Sequence, residues 1–261
     1  MTYETILYEV AEGVAAITLN RPDSLNAFND QMIAEMRDGL KRCRQSQDVR
    51  CVLLTGSGRA FSAGQDLKAV SSRSTDFSIG EHLRKGYNRL ILALTELEKP
   101  VVAAVNGVAA GAGCSVCLAA DIRIASHRAS FIQAFSKVGL IPDSGSTWLL
   151  TRLVGHGRAY EMAAMADPIT ADTALDWGLV NQVVPHDQLP EISAAWARRL
   201  AEGPTLALGL MKRALYRSAT SSLADALLYE SHLQEVAGRS KDFQRGLQAF
   251  LKKEEPDFKG R

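Results

Sequence analysis

The sequence predicts an α/β fold. Three observations carry that expectation. Two short apolar runs, residues 51–54 and 101–105, read as buried strands, and each ends in a turn. The second turn, Asn106-Gly107, leads through the small residues 109–113 into a segment suited to a short buried helix, 113–120. From residue 188 onward the chain reads as helix almost throughout, so helices are segregated to one end.

The elements follow in order. Residues 6–10 and 14–19 alternate around Glu12-Gly13 and predict a hairpin. Asn29 is placed to cap a helix over 30–45, whose apolar stripe is Met32, Ile33, Met36, Leu40 and Cys43. After the strand at 51–54 comes a Ser-rich stretch, 70–76, expected to be mobile. A helix is expected near 81–97, and short strands at 122–125 and 129–131. Helices are expected over 146–154 and 157–165. Another should run over 171–177 behind the cap Thr170, before a strand at 181–184. The last four helices should run over 188–201, 204–216, 223–237 and 242–252, with a polar, frayed tail at 254–261. A core over residues 1–200 and a helical region over 201–261 are expected.

Composition limits the partners. Of 261 residues, 46% are hydrophobic and 23% charged, which suits a globular chain with a sizeable core. A net charge of +1 offers no field for nucleic acid or an anionic membrane. No apolar run approaches a membrane span, and residues 1–8 lack the apolar segment of a secretory signal. Cys43, Cys51, Cys114 and Cys117 read as reduced thiols, so a cytoplasmic location is expected. Cys114-Ser115-Val116-Cys117 lacks the further ligands that zinc needs, and its cysteines read as small core residues. The five histidines show no metal-ligand spacing, and no metal is expected.

Two features bear on chemistry. A helix that starts after small residues leaves backbone N–H groups unpaired, and a ligand oxygen can approach them closely. Residues 109–113 and the turn Ala63-Gly64-Gln65 could each offer one such donor, or could simply be close packing. Asp143 lies between the apolar Leu140-Ile141-Pro142 and the turn Ser144-Gly145. Locally it reads equally as a helix cap or as a proton-transfer group.

The stretches Ala60-Phe61-Ser62-Ala63-Gly64-Gln65-Asp66-Leu67 and Lys99-Pro100 through Gly113-Cys114 resemble the two signatures of the enoyl-CoA hydratase/isomerase (crotonase) superfamily. Leu19-Asn20-Arg21-Pro22, Leu25-Asn26-Ala27, and Ala174 with Gly178-Leu179-Val180 also match, so the resemblance spans most of the chain. It implies a spiral of ββα units with a C-terminal helical oligomerisation region, assembled as a trimer or hexamer. It implies an acyl-CoA substrate, with coenzyme A entering only as part of that substrate and no other cofactor. The N–H groups of Gln65 and of the Ala112-Gly113 turn would form the oxyanion hole. Leu25, Ala27, Ala63, Asp66, Leu67, Lys68 and Phe135 would border the substrate or its CoA, and Phe135, Trp148 and Val108 belong either to the acyl pocket or to the core.

Hydratases of the superfamily carry two glutamates, at positions held here by Ser115 and Phe135. Asp143 instead matches the acid of isomerase-type members. The segment from Phe131 through Gly145, followed by Thr147-Trp148 and Arg152-Leu153-Val154-Gly155, resembles the ring 1,2-epoxyphenylacetyl-CoA isomerases of phenylacetate catabolism. Ser146 departs from that pattern, since most relatives have Gly there. Aromatic-acyl dehalogenases also place an Asp here but add a His and a Trp, where this chain offers Asn88 and Phe135. The alternatives are a Δ3,Δ2-enoyl-CoA isomerase or hydratase-like enzyme of fatty acyl-CoA. From another class, they are an RNA-binding or noncatalytic superfamily member.

Overall fold

The computed structural model describes residues 3–66 and 77–261. The expected mobile stretch at 70–76 lies outside the described residues.

Two sheets organise the chain. The larger has the order β1-β2-β3-β5-β7-β10, formed by Ile6–Ala11, Val14–Leu19, Cys51–Gly56, Val101–Val105, Ile122–Ser126 and Gln182–Val184. The smaller has the order β4-β6-β8-β9, formed by Ala60–Ser62, Val108–Ala110, Ser130–Ile132 and Ile169–Thr170. The β1–β2 hairpin is antiparallel, and the rest of the larger sheet is parallel. Each turn of the chain adds one strand to each sheet: β3 then β4, β5 then β6, β7 then β8. This is the expected ββα spiral. In register, Thr55 lies beside Ala104, and Ala104 beside Ile124.

The apolar run 101–105 is continuous because both faces of its strand are covered. Val101, Ala103 and Val105 face the main core, with helix α1 (Asp30–Gln45). Val102 and Ala104 face a second cluster under the helix Leu189–Glu202. Asn29 caps α1 by accepting a hydrogen bond from Met32 N–H at 2.9 Å, as its position predicts.

Several expectations need correction. The helix expected near 81–97 is two helices, α2 (Ile79–Lys85) and α3 (Tyr87–Thr95), broken at Gly86. Strand β6 was not foreseen, because three residues carry no readable period. Helix α4 spans Ala112–Leu118, starting one residue before the expected point. The helices at 146–154 and 157–165 run together as α5 (Ser146–Met165), kinked at Gly155. Helices α6 (Ala171–Asp176) and α7 (Leu189–Glu202) precede α8 (Thr205–Ser218), α9 (Leu223–Gly238) and α10 (Lys241–Lys252). The tail is not frayed. The buried Asp242 carboxylate accepts hydrogen bonds from the N–H groups of Lys259, Gly260 and Arg261, and Arg50 donates to Phe258 O.

Candidate active site

The spiral brings the two small-residue turns against each other. A Cβ at Gly64 would lie 2.7 Å from Ala110 O and 3.4 Å from Ala112 N. Gly64 and Gly111 have φ of 94° and 49°, a region that strains L side chains, so glycine makes this approach possible. Ala112 is the first residue of α4, and its N–H has no intrahelical acceptor. Among the described residues, neither this N–H nor that of Gln65 donates to a protein acceptor.

Both residues line one cavity of about 190 Å³, together with Ala63, Gly64 and Gly111. Its far wall is apolar: Ile79 and Leu83 from α2, and Ala134, Phe135, Val138 and Leu140 from the segment after β8. Asp143 is the one carboxylate among the described lining residues.

Asp143 sits on a turn with two left-handed residues, Ser144 (φ 51°) and Gly145 (φ 80°). Its side chain does not cap α5. The cap position is Gly145, and Ser146 N–H bonds the main-chain oxygen of Asp143 at 3.0 Å. The carboxylate accepts instead from Ser144 Oγ at 2.8 Å. Burial pushes the Asp143 carboxyl above its usual range, and the Ser144 bond offsets only part of that rise. A carboxylate that lines the same apolar cavity as Gln65 and Ala112 can move a proton beside a carbonyl held by their N–H groups.

The turn after β4 is held by its own side chain. Tyr87, buried on α3, donates to Gln65 Oε1 at 2.7 Å, and Gln65 Nε2 donates to Phe28 O at 3.1 Å. His82 Nε2 lies 3.4 Å from Gln65 Oε1. The sequence reading missed Tyr87 and His82. Their signal was weak, because they reach the site from two helices that meet at an unforeseen break.

The family match follows from sequence across nearly the whole chain. The sequence model of the family described as enoyl-CoA hydratase/isomerase matches residues 9–261. The chain belongs to the enoyl-CoA hydratase/isomerase family. The 1,2-epoxyphenylacetyl-CoA isomerase of Escherichia coli (strain K12) is 45% identical over 260 residues, covering 99% of each chain. A Rhodobacter capsulatus protein named "Probable enoyl-CoA hydratase" is 44% identical over 261 residues, covering 100% of each. The crystal structure of an enoyl-CoA hydratase from Bacillus anthracis has a TM-score of 0.94 at 33% identity, covering 99% of this chain and 100% of that one. The fold is thus the crotonase fold, and the chain is a crotonase-family enzyme of CoA thioesters, an isomerase or a hydratase.

Within this crotonase fold the expected site residues divide. Gln65, Ala112, Ala63, Phe135 and Asp143 meet at the cavity. Gly113 does not. A Cβ there would lie 2.6 Å from Ser62 O, so this glycine lets α4 pack on β4. Leu25 and Ala27 stand behind the Gly64-Gln65 turn, where Leu25 O accepts from Ala63 N at 2.9 Å. Asp66 pairs with Arg21 at 3.0 Å. Leu67 and Lys68 lie outside the described residues. Trp148 lies off the cavity, stacked on Tyr216 with the Arg152 guanidinium 3.7 Å from its ring centroid, and Val108 is likewise not on the cavity wall. The described cysteine thiols are free and buried, and burial pushes that of Cys117 up to about 12.

Proposed function

We propose that this enzyme isomerises an acyl-CoA thioester through an enolate, with ring 1,2-epoxyphenylacetyl-CoA as substrate and the oxepin-CoA as product. One observation carries the reading. Asp143 is the single carboxylate among the described residues of an apolar cavity that also exposes the N–H groups of Gln65 and Ala112. Those two groups donate hydrogen bonds to the thioester oxygen as negative charge develops on it. Asp143, ionised, takes a proton from the carbon next to the thioester. The bond between the two epoxide carbons breaks as the six-membered ring expands to the oxepin, and Asp143 returns that proton to a ring carbon as the double bonds shift, so substrate and product have the same atoms. The chemistry calls for no metal and no redox cofactor.

Hydration needs groups to activate water and to protonate carbon. Phe135 stands on the cavity where the resemblance places one hydratase glutamate, and the buried Ser115 stands where it places the other. The Escherichia coli isomerase supports the same reading. The test is turnover of aryl and aliphatic acyl-CoA thioesters side by side. Ring 1,2-epoxyphenylacetyl-CoA should give the highest kcat/KM and crotonyl-CoA hydration should be slow. Fastest turnover in crotonyl-CoA hydration would overturn the proposal, and fastest turnover of a 3-enoyl-CoA would make this a fatty-acyl isomerase.

A further inference from the structure

Ser146, the departure from the family pattern, lies in a buried polar chain behind the cavity. Ser146 Oγ is 2.7 Å from Ser115 Oγ, and Gln133 Nε2 donates to Ser146 Oγ at 3.2 Å. Ser115 Oγ lies 3.2 Å from Asp143 O and 3.2 Å from Gly111 O. All three side chains are fully buried, so water does not replace a lost partner.

Proton counting orders the chain. A hydroxyl has one proton to give. The carbonyls of Asp143 and Gly111 can only accept, so the Ser115 proton goes to them, and the Ser146 hydroxyl, which accepts from Gln133, donates to Ser115. Those two carbonyls belong to opposite sides of the site. Asp143 carries the carboxylate, and Gly111 immediately precedes the Ala112 donor. A glycine at 146 would leave Gln133 Nε2 without this acceptor and would no longer orient the Ser115 hydroxyl.

We propose that Ser146, acting through Ser115, is a positioning residue that fixes the distance between Asp143 and the Ala112 N–H group. The inference rests on the reading of Asp143 as the proton-transfer group. The Oγ–Oγ contact also accounts for the pairing of these two residues. A serine at 146 is useful only because position 115 holds a short hydroxyl side chain that faces it.

The probe is phenylacetyl-CoA in D2O, with exchange of its α-protons followed by NMR. This reads proton removal directly and needs no knowledge of the natural acyl group. Ser146→Ala and Ser115→Ala should each slow exchange about fivefold to tenfold, in line with the loss of one buried hydrogen bond. Affinity for the thioester should stay within about twofold. The double variant should be no slower than about tenfold, because both changes break one chain. Ser146→Gly is the fallback if the Ser146→Ala variant fails to fold, and should show the same loss. Unchanged exchange in the single variants, losses that multiply in the double variant, or an equal loss of thioester affinity would each overturn the inference. Asp143→Asn separates the two proposals. If it exchanges at the normal rate, the proton-transfer reading fails. If it is inactive while Ser146→Ala is normal, only the positioning role fails.

Discussion

Asp143 is held where a carboxylate is poorly solvated, and that has consequences for both activity and stability. Its folded pKa is raised by burial above the ordinary value of about 3.9. A raised acid favours the fold fully below its unfolded pKa, and that benefit disappears as pH rises through the folded value. The ionised group therefore costs stability at neutral pH. Asp143→Asn should melt above the wild type at pH 7, with the gap closing on acidification, as scanning calorimetry across pH would show. The base must be ionised to act, so kcat/KM should fall on the acid side with a midpoint above the usual aspartate value. A midpoint at or below that value, or a lower melting temperature for the variant at pH 7, would contradict this. Asp143 was legible in sequence because it is a lone carboxylate between an apolar run and a turn. Which small residue faces the cavity was not legible. Ala112 and Gly113 are neighbours, and the helix rotation between them turns one to the cavity and the other onto Ser62.

Single elements are tied to the spiral by contacts far apart in sequence. Helix α8 is fixed by Lys212, whose buried ammonium meets Asp121 Oδ2 at 2.9 Å and Leu94 O at 2.8 Å. The same carboxylate oxygen accepts from Val101 N at 2.8 Å, so the pair joins α8 to the start of β5. Burial pushes the Asp121 carboxyl up and the Lys212 ammonium down, while their mutual attraction opposes both. Removing one partner leaves the other charge buried and alone, which typically costs about 3–5 kcal/mol. Lys212→Met should lose about that much in urea unfolding, and adding Asp121→Asn should recover part of it. A loss below about 1 kcal/mol would show that the pair is dispensable. Hairpin, caps and strand–turn–helix units were readable because their signals are local. The break at Gly86 and the anchored tail were not. The first depends on how α2 and α3 meet, and the second on Asp242 reaching backbone amides 17–19 residues away.

The whole molecule leaves apolar surface on its C-terminal helices. Met211 and Leu215 on α8, Leu223, Leu227 and Leu228 on α9, and Phe250 and Leu251 on α10 are all more than half exposed. Leu210, on the same helix as Met211 and Leu215, is buried within the chain. Contiguous exposed apolar patches mark association surfaces. We propose a homotrimer or a pair of trimers, and sedimentation velocity should show that mass at micromolar concentration. A monomer independent of concentration would refute it. No helix among the described residues is long and apolar enough to cross a membrane. The order of strands in the two sheets could not be read from sequence alone, since each strand pairs with one a full turn of the spiral away.

The central proposal is that Asp143 moves a proton beside a thioester oxygen held by the N–H groups of Gln65 and Ala112. The most direct measurement is the rate at which wild type and Asp143→Asn exchange the α-protons of phenylacetyl-CoA in D2O, with binding of the thioester measured alongside. The substitution preserves size and removes the base. Wild type should exchange the protons, and the variant should bind normally but exchange about 10²–10⁴-fold more slowly. Equal exchange rates at equal binding would contradict the claim.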